Sequence, residues 1–247
     1  MRILLTNDDG IESKITRALY QRLSENHSVT LIAPKHDKSG QAAALTLRTS
    51  VEIEKLDENI YSVDGTPADC VFMGLMAIMK EIPDIVVSGI NKGANMGDDV
   101  MHSGTLGAAF TGRKLKYPPI ASSIAGKSFE NFDSAVLATE MMLNYVESNY
   151  SDSLHDGIVF NVNIPNVNFN EINDFILTKL GNRGVPLAPE FDGNDNKVSY
   201  KIGKSGKPNG DLTGTDFEAI NNNNVSVTPL YWDMTNFEKV KGKLPNV

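Results

Sequence analysis

The sequence is poor in cysteine, tryptophan, histidine and basic residues, and each shortage removes a class of function. A single thiol, Cys70, cannot close an intrachain disulfide, so burial and hydrogen bonding must hold the fold. The four histidines, His27, His36, His102 and His155, are scattered, which leaves oxygen as the donor for any bound metal. Lys and Arg number 23 against 31 Asp and Glu, for a formal charge of −8. Duplex or single-strand nucleic acid needs a net basic face, so a polyanion binder is not expected, although a small anion can sit in a locally positive pocket. No segment approaches the roughly 18 apolar residues of a membrane span. The N-terminus reaches Asp8 before a signal-peptide apolar core can form, and together with the lone cysteine this reads as a cytoplasmic protein.

What is present is ordinary in amount, with 40% hydrophobic and 22% charged residues, and informative in order. Apolar runs alternate with 3.6-period segments, the pattern of βαβ units and a mostly parallel sheet. The reading is an α/β fold of three layers, Rossmann-like, with residues 1–180 as its core. Strands are expected at 1–6, 28–33, 45–55, 60–63, 85–88, 120–125 and 157–163. Helices are expected at 13–24, from Thr66 through ADCVFMGLMAIMK, at GTLGAAFTGRKL, and at 129–148. Thr66 is a natural N-cap and Pro67 suits the first turn. Residues 181–214 are rich in Gly, Asn, Asp and Lys and too long for an ordinary loop, so 181–247 reads as a C-terminal extension. It would comprise an arm or hairpin with a strand at VSYKI, a short helix near TDFEAI, a strand at VSVTPL, and a terminal helix from about residue 235.

In a doubly wound sheet, ligands bind outside the carboxyl ends of the strands. That rule collects Asn7, Asp8 and Asp9 after the first strand, Ser39 and Gly40 after the second, and Asn91, Asn95, Asp98 and Asp99 after IVVS. Two adjacent carboxylates need a cation, a shared proton or solvent. NDDG is open to two readings, a metal site or a turn in which Asp9 and Glu12 form a capping box. The loop SGINKGANMGDD favours the first, because three glycines, two asparagines and two aspartates are costly to order without a ligand. Oxygen donors of this kind suit Mg²⁺ or Mn²⁺. Ser103, Gly104 and Thr105 stand where that loop becomes a helix, and a helix start with free N–H groups is an anion site. A cation and an anion-binding helix start at one sheet edge point to phosphoryl transfer or hydrolysis. Two familiar phosphate motifs are absent. AGKS at 125–128 has Ala121 where a Walker A loop needs its first glycine, and the aspartates after the first strand are adjacent rather than spaced as D-x-D.

The blocks MRILLTNDDGI, APKHDKSG, GTPADCV, PDIVVSGINKGANMGDDV and HSGTLGAA, with TGTDFEAI and VSVTPL, resemble the SurE family of 5′/3′-nucleotidases from residue 1 to about 230. The resemblance implies one divalent metal per subunit, Mg²⁺ or Mn²⁺, held by Asp8, Asp9, Ser39 and Asn91. It implies hydrolysis of nucleoside 5′-monophosphates, and of some 3′-monophosphates, by metal-activated water attack. Asn95, Ser103, Gly104 and Thr105 would hold the phosphate, and one aspartate, Asp8, would take the water's proton, with a direct aspartyl nucleophile as the alternative that uses the same residue types. It also implies a homodimer or homotetramer whose C-terminal segments are exchanged. Ala42–Ala44 departs from the more polar residues usual there, and LKYPPIASS is a looser match than the rest. The alternatives are a broader phosphatase that also shortens polyphosphate, and a non-catalytic nucleotide-sensing module.

Overall fold

Short β-branched and leucine-rich runs make the strands here, and apolar stripes at helical spacing make the helices that cover them. The computed structural model describes residues 1–126, 128–150, 157–194 and 197–235. In chain order its elements are β1 (Arg2–Thr6), α1 (Lys14–Ser24), β2 (Ser28–Pro34), β3 (Ile53–Asp57), β4 (Ile60–Val63), α2 (Pro67–Met73), β5 (Ile85–Lys92), α3 (Gly104–Thr111), β6 (Ile120–Ala125), α4 (Phe132–Asn149), β7 (Val159–Pro165), β8 (Phe175–Leu177), β9 (Asn182–Arg183), β10 (Glu190–Asn194), β11 (Lys197–Lys201), β12 (Pro208–Asn209), α5 (Asp216–Asn221) and β13 (Val225–Leu230).

Among the described residues nine strands share one sheet, in the order β3-β4-β2-β1-β5-β6-β7-β13-β8. From β4 through β7 every neighbouring pair is parallel, while β3 pairs with β4 and β13 with β7 antiparallel. The period-2 alternation of β1 sorts its side chains into two cores. Ile3 and Leu5 pack with Ile15, Leu19 and Leu23 of α1 and with Ala135, Ala138 and Met142 of α4. Leu4 packs on the opposite face with Ile32, Val86, Cys70 and Val71 of α2, and Ala108 of α3. The result is the three-layer α/β arrangement expected. No helix among the described residues is long and apolar enough to cross a membrane.

The chain leaves β1 through α1 toward β2 and β4, then returns through α2 to β5 on the other side of β1. Strand order therefore reverses between β1 and β5, registered Thr6 to Ser88. A crevice opens there, beyond their carboxyl ends.

Several boundaries differ from expectation. Residues 45–52 form no strand, because Thr46 turns aside to donate its N–H and hydroxyl to Asp69 (2.9 and 2.6 Å). The helix begun by Pro67 passes into a π-helical turn at Gly74–Ile78. Strand β5 runs on to Lys92 instead of ending at Ser88. VSYKI pairs antiparallel with β10, Phe191 opposite Tyr200, and makes the expected hairpin. The expected terminal helix lies outside the described residues, as does His155.

Candidate active site

The loop after β1 is shaped by Asn7, which is wholly buried. Its amide oxygen accepts from the Gly10 N–H (3.1 Å), and its Nδ2 donates to the Gly10 carbonyl and the Thr16 hydroxyl (2.9 and 2.8 Å). The N-cap of α1 is Ser13, which accepts from the Thr16 N–H, so the alternative reading of NDDG as a capping box of Asp9 and Glu12 is not realised. Asp9 is thereby released. Its Oδ2 reaches across the crevice to accept from the Lys92 N–H at 3.1 Å.

Asp8 is buried, with 3% of its surface exposed, and its Oδ1 accepts from the Thr105 hydroxyl at 2.8 Å. Room for its second oxygen depends on Gly104, where a Cβ would fall 3.0 Å from Oδ2. Burial pushes the Asp8 carboxyl up to about 6; the Thr105 hydrogen bond opposes this, and the charges of Asp9 and Asp37 add to it. Burial likewise raises Asp9, against the Lys92 N–H and ammonium and with Asp37. A third carboxylate, Asp37, thus acts on both, and it also fixes Ser39. Asp37 Oδ1 accepts from the Ser39 N–H and hydroxyl (2.8 and 2.6 Å), and these bonds, the hydroxyl's first, hold its carboxyl below the usual range.

The far bank is built by the end of β5. Its register on β6 slips by one residue between Ser88 and Asn91, a bulge that re-aims the strand end. Gly89 carries the kink at φ +138, with no room for a Cβ against the Ser122 carbonyl. Asn91 spends Nδ2 on the Gly93 carbonyl (2.7 Å), and its amide oxygen has no hydrogen-bond partner among the described residues. Asn95 is clamped by two fully buried side chains of β7. Asn163 Oδ1 accepts from its N–H (2.8 Å), and the Nδ2 groups of Asn161 and Asn163 donate to its carbonyl (2.8 and 2.9 Å). Its own Nδ2 donates to the hydroxyls of Ser123 (2.8 Å) and Thr105 (3.3 Å). A chain of donors consequently runs from Asn95 through Thr105 to Asp8.

Ser103 caps α3, accepting from the Leu106 N–H at 3.1 Å. Its own O–H proton stays available, and the N–H groups of Gly104 and Thr105 head the helix without intrahelical acceptors. Asp8, Ser39, Asn91, Asn95 and Ser103 line one cavity of about 300 Å³, into which Lys92, His102 and Arg183 bring positive or protonatable groups. Asp9, Gly104 and Thr105 stand outside this lining, Thr105 with its hydroxyl already given to Asp8. His36 is not among the lining residues, and Asp98 instead accepts from the Arg183 N–H (3.1 Å).

Asp37, Lys92, Asn161, Asn163 and Arg183 were not singled out in the sequence. The asparagines had a signal: NVN interrupts a strand that is otherwise wholly apolar and buried. Arg183 had none, since it arrives from β9, far along the chain. There its Nε lies 2.7 Å from Asp99 Oδ2 and its guanidinium 5.0 Å from the Phe217 ring centre.

The donor set fits a hard divalent cation. Asp8 Oδ2, Asp9 Oδ1, Ser39 Oγ and Asn91 Oδ1 accept no hydrogen bond among the described residues. Two adjacent carboxylates, Asp8 buried and Asp9 half-buried, are held above their ordinary pKa, the condition an adjacent cation reverses. Two carboxylates with neutral oxygens and room for phosphate is a Mg²⁺-like arrangement.

Residues 3–186 match the family model described as Survival protein SurE. The chain is 40% identical over 243 residues to the 5′-nucleotidase SurE of Pseudomonas aeruginosa (strain LESB58), covering 98% of this chain and 96% of that protein. It is 39% identical over 240 residues to the 5′-nucleotidase SurE of Legionella pneumophila (strain Corby), covering 96% and 94%. The crystal structure of the SurE protein from Aquifex aeolicus superposes with a TM-score of 0.82 at 34% identity, covering 96% of each chain.

Proposed function

The chain belongs to the SurE family, and from that premise we propose that it is a 5′-nucleotidase, a phosphohydrolase of nucleoside 5′-monophosphates. The observation that carries the reading is the single cavity onto which a buried carboxylate and the start of a helix both open. Asp8, Asp9, Ser39 and Asn91 would hold Mg²⁺ or Mn²⁺, which when bound offsets phosphate charge and polarises the ester.

The rest of the chemistry falls to the chain. The Ser103 hydroxyl and the N–H groups of Gly104 and Thr105 donate to the phosphate oxygens and to the extra charge of the transition state. Asp8, oriented by the Thr105 hydroxyl on its Oδ1, takes the proton of the attacking water. Asn95 acts behind Thr105 as a positioning residue, its amide hydrogens spent on Ser123 and Thr105. The division into a core of residues 1–180 and an extension of 181–247 is part of the same reading. So is a homodimer or homotetramer in the cytoplasm, assembled through the β10–β11 hairpin, whose Phe191 and Tyr200 are exposed.

The test is phosphate release from a panel of nucleoside monophosphates by EDTA-stripped protein, with Mg²⁺ or Mn²⁺ added back. Release restored by metal supports the reading, and silence across the panel with metal present overturns it.

A further inference from the structure

A second cavity, of about 470 Å³, shares Ser103 with the first. Its walls are of another kind. Leu106 and Phe110 of α3 form one side, and Arg113 with Tyr231 and Trp232, just past β13, form another. The loop carrying Ala42 and Ala43 adds an apolar edge. That loop is seated on α3: the Ala42 N–H donates to the His102 carbonyl at 3.2 Å, and a Cβ at position 107 would fall 2.0 Å from the Ala42 carbonyl oxygen, so only glycine permits the contact.

Two rings lie half-exposed beside a polar site, Tyr231 at 50% and Trp232 at 49%. The Arg113 guanidinium stands 5.6 Å from the Trp232 ring centre, anchored by one N–H to the Phe110 carbonyl at 2.9 Å, and its other donors have no hydrogen-bond acceptor among the described residues. One cavity is thus lined by carboxylate, amide, hydroxyl and cationic groups, and its neighbour mainly by alkyl groups and rings with the single guanidinium of Arg113. A nucleoside monophosphate divides the same way, into an anionic phosphate and a flat heteroaromatic base that stacks on rings and accepts hydrogen bonds at its edge.

We propose that the cavity walled by Leu106, Phe110, Arg113, Tyr231 and Trp232 seats the nucleobase of the nucleotide whose phosphate enters the Asp8 cavity, an assignment that rests on the phosphohydrolase reading above. Trp232 is the only tryptophan of the chain, so its emission reports this cavity alone. The EDTA-treated protein is titrated with AMP, adenosine and ribose 5-phosphate, with excitation at the red edge where the base does not absorb. AMP and adenosine should quench, and ribose 5-phosphate should not. Equal quenching by ribose 5-phosphate overturns the proposal. So does an emission indifferent to all three that shifts instead with protein concentration, which would make the cavity an interface between copies.

The kinetic arm separates this idea from its premise. With metal restored, Trp232→Ala should lose about tenfold in kcat/KM for AMP and nothing for ribose 5-phosphate, and Trp232→Phe should recover most of the loss. If Trp232→Ala hydrolyses both esters as the parent does, the base site falls and the hydrolase stands. If the parent hydrolyses neither while AMP and adenosine still quench, the base site stands and the hydrolase falls.

Discussion

Asp8 is held in tension. It is nearly sealed from water, has one donor in Thr105, and has two further carboxylates close enough to raise it. Replacing it by Asn keeps the shape and removes both the proton acceptor and a ligand charge. Asp8→Asn should lower kcat by about 10²- to 10⁴-fold. Its thermal midpoint without metal should not fall, because a buried charge has been removed along with its repulsion. Turnover and a melting curve check both halves, and near-parental turnover would remove Asp8 from the mechanism. The position of this residue at the crevice was legible in the sequence, since paired aspartates after a first strand sit where α/β proteins bind ligands. Its partners were not. Thr105 lies 97 residues away, and Asp37, two residues before Ser39, only matters once the Lys38 N–H has bonded the Asp8 carbonyl at 2.8 Å and folded one loop against the other.

Among the elements, α2 and β7 make separate predictions. Helix α2 opens with a full capping box, Thr66 accepting from the Asp69 N–H and Asp69 accepting from the Thr66 N–H, while Asp69 also takes both donors of Thr46. Burial alone would raise the Asp69 carboxyl, but the Thr46 and Thr66 donors outweigh it and hold it below the usual range. Its contribution to folding is therefore present above the unfolded carboxyl's pKa, near about 4, and is lost as pH falls through the lower folded value. Asp69→Ala should cost about 1–2 kcal/mol at neutral pH by denaturant titration, with the gap to the parent narrowing below pH of about 4. Equal gaps at both extremes would mean the carboxylate's charge is not what matters. In β7, Asn163→Ala leaves the backbone N–H and carbonyl of Asn95 short of partners beneath the cavity. We expect kcat to fall about tenfold with a smaller change in KM; an unchanged kcat would show that the Asn95 turn holds without the clamp. Thr66, Pro67 and Ser103 announced their helices because caps act within three residues. The path of 45–52 was not legible, because its alternating pattern suits a strand and the competing partner, Asp69, is 23 residues away from Thr46. The β5 bulge was hidden for a similar reason, as it is a matter of register between strands.

At the level of the whole molecule, the layer order followed from alternating periodicities, and the place of β13 between β7 and β8 did not, since only an antiparallel return inserts it there. A cation shared by the loops after β1, β2 and β5 would tie three parts of the sheet edge together. At a hundred times its Kd it would add about 2.7 kcal/mol, or about 5–10 °C in midpoint for a chain of this size, removable by EDTA. Calorimetry with and without Mg²⁺ measures this, and identical midpoints would argue against binding by the folded site. If the β10–β11 hairpin joins subunits, Phe191→Ser with Tyr200→Ser should lower the mass found by light scattering while leaving circular dichroism unchanged. An unaltered mass would move the interface elsewhere.

The order in which a ribosome delivers these parts adds a further consequence. Strand β1 is made before both of its neighbours, and its register of Ile3 with Ile85 cannot form until β5 has emerged. The carboxylate at position 8 must wait longer still, for a hydroxyl translated 97 residues later. Through that interval the acidic loop lacks its Thr105 donor, and for most of it the Lys92 N–H as well, so a nascent chain stalled before α3 carries an unfinished acidic loop. Chains released early should therefore be inert, and the pocket should be among the last features of the core to close during synthesis.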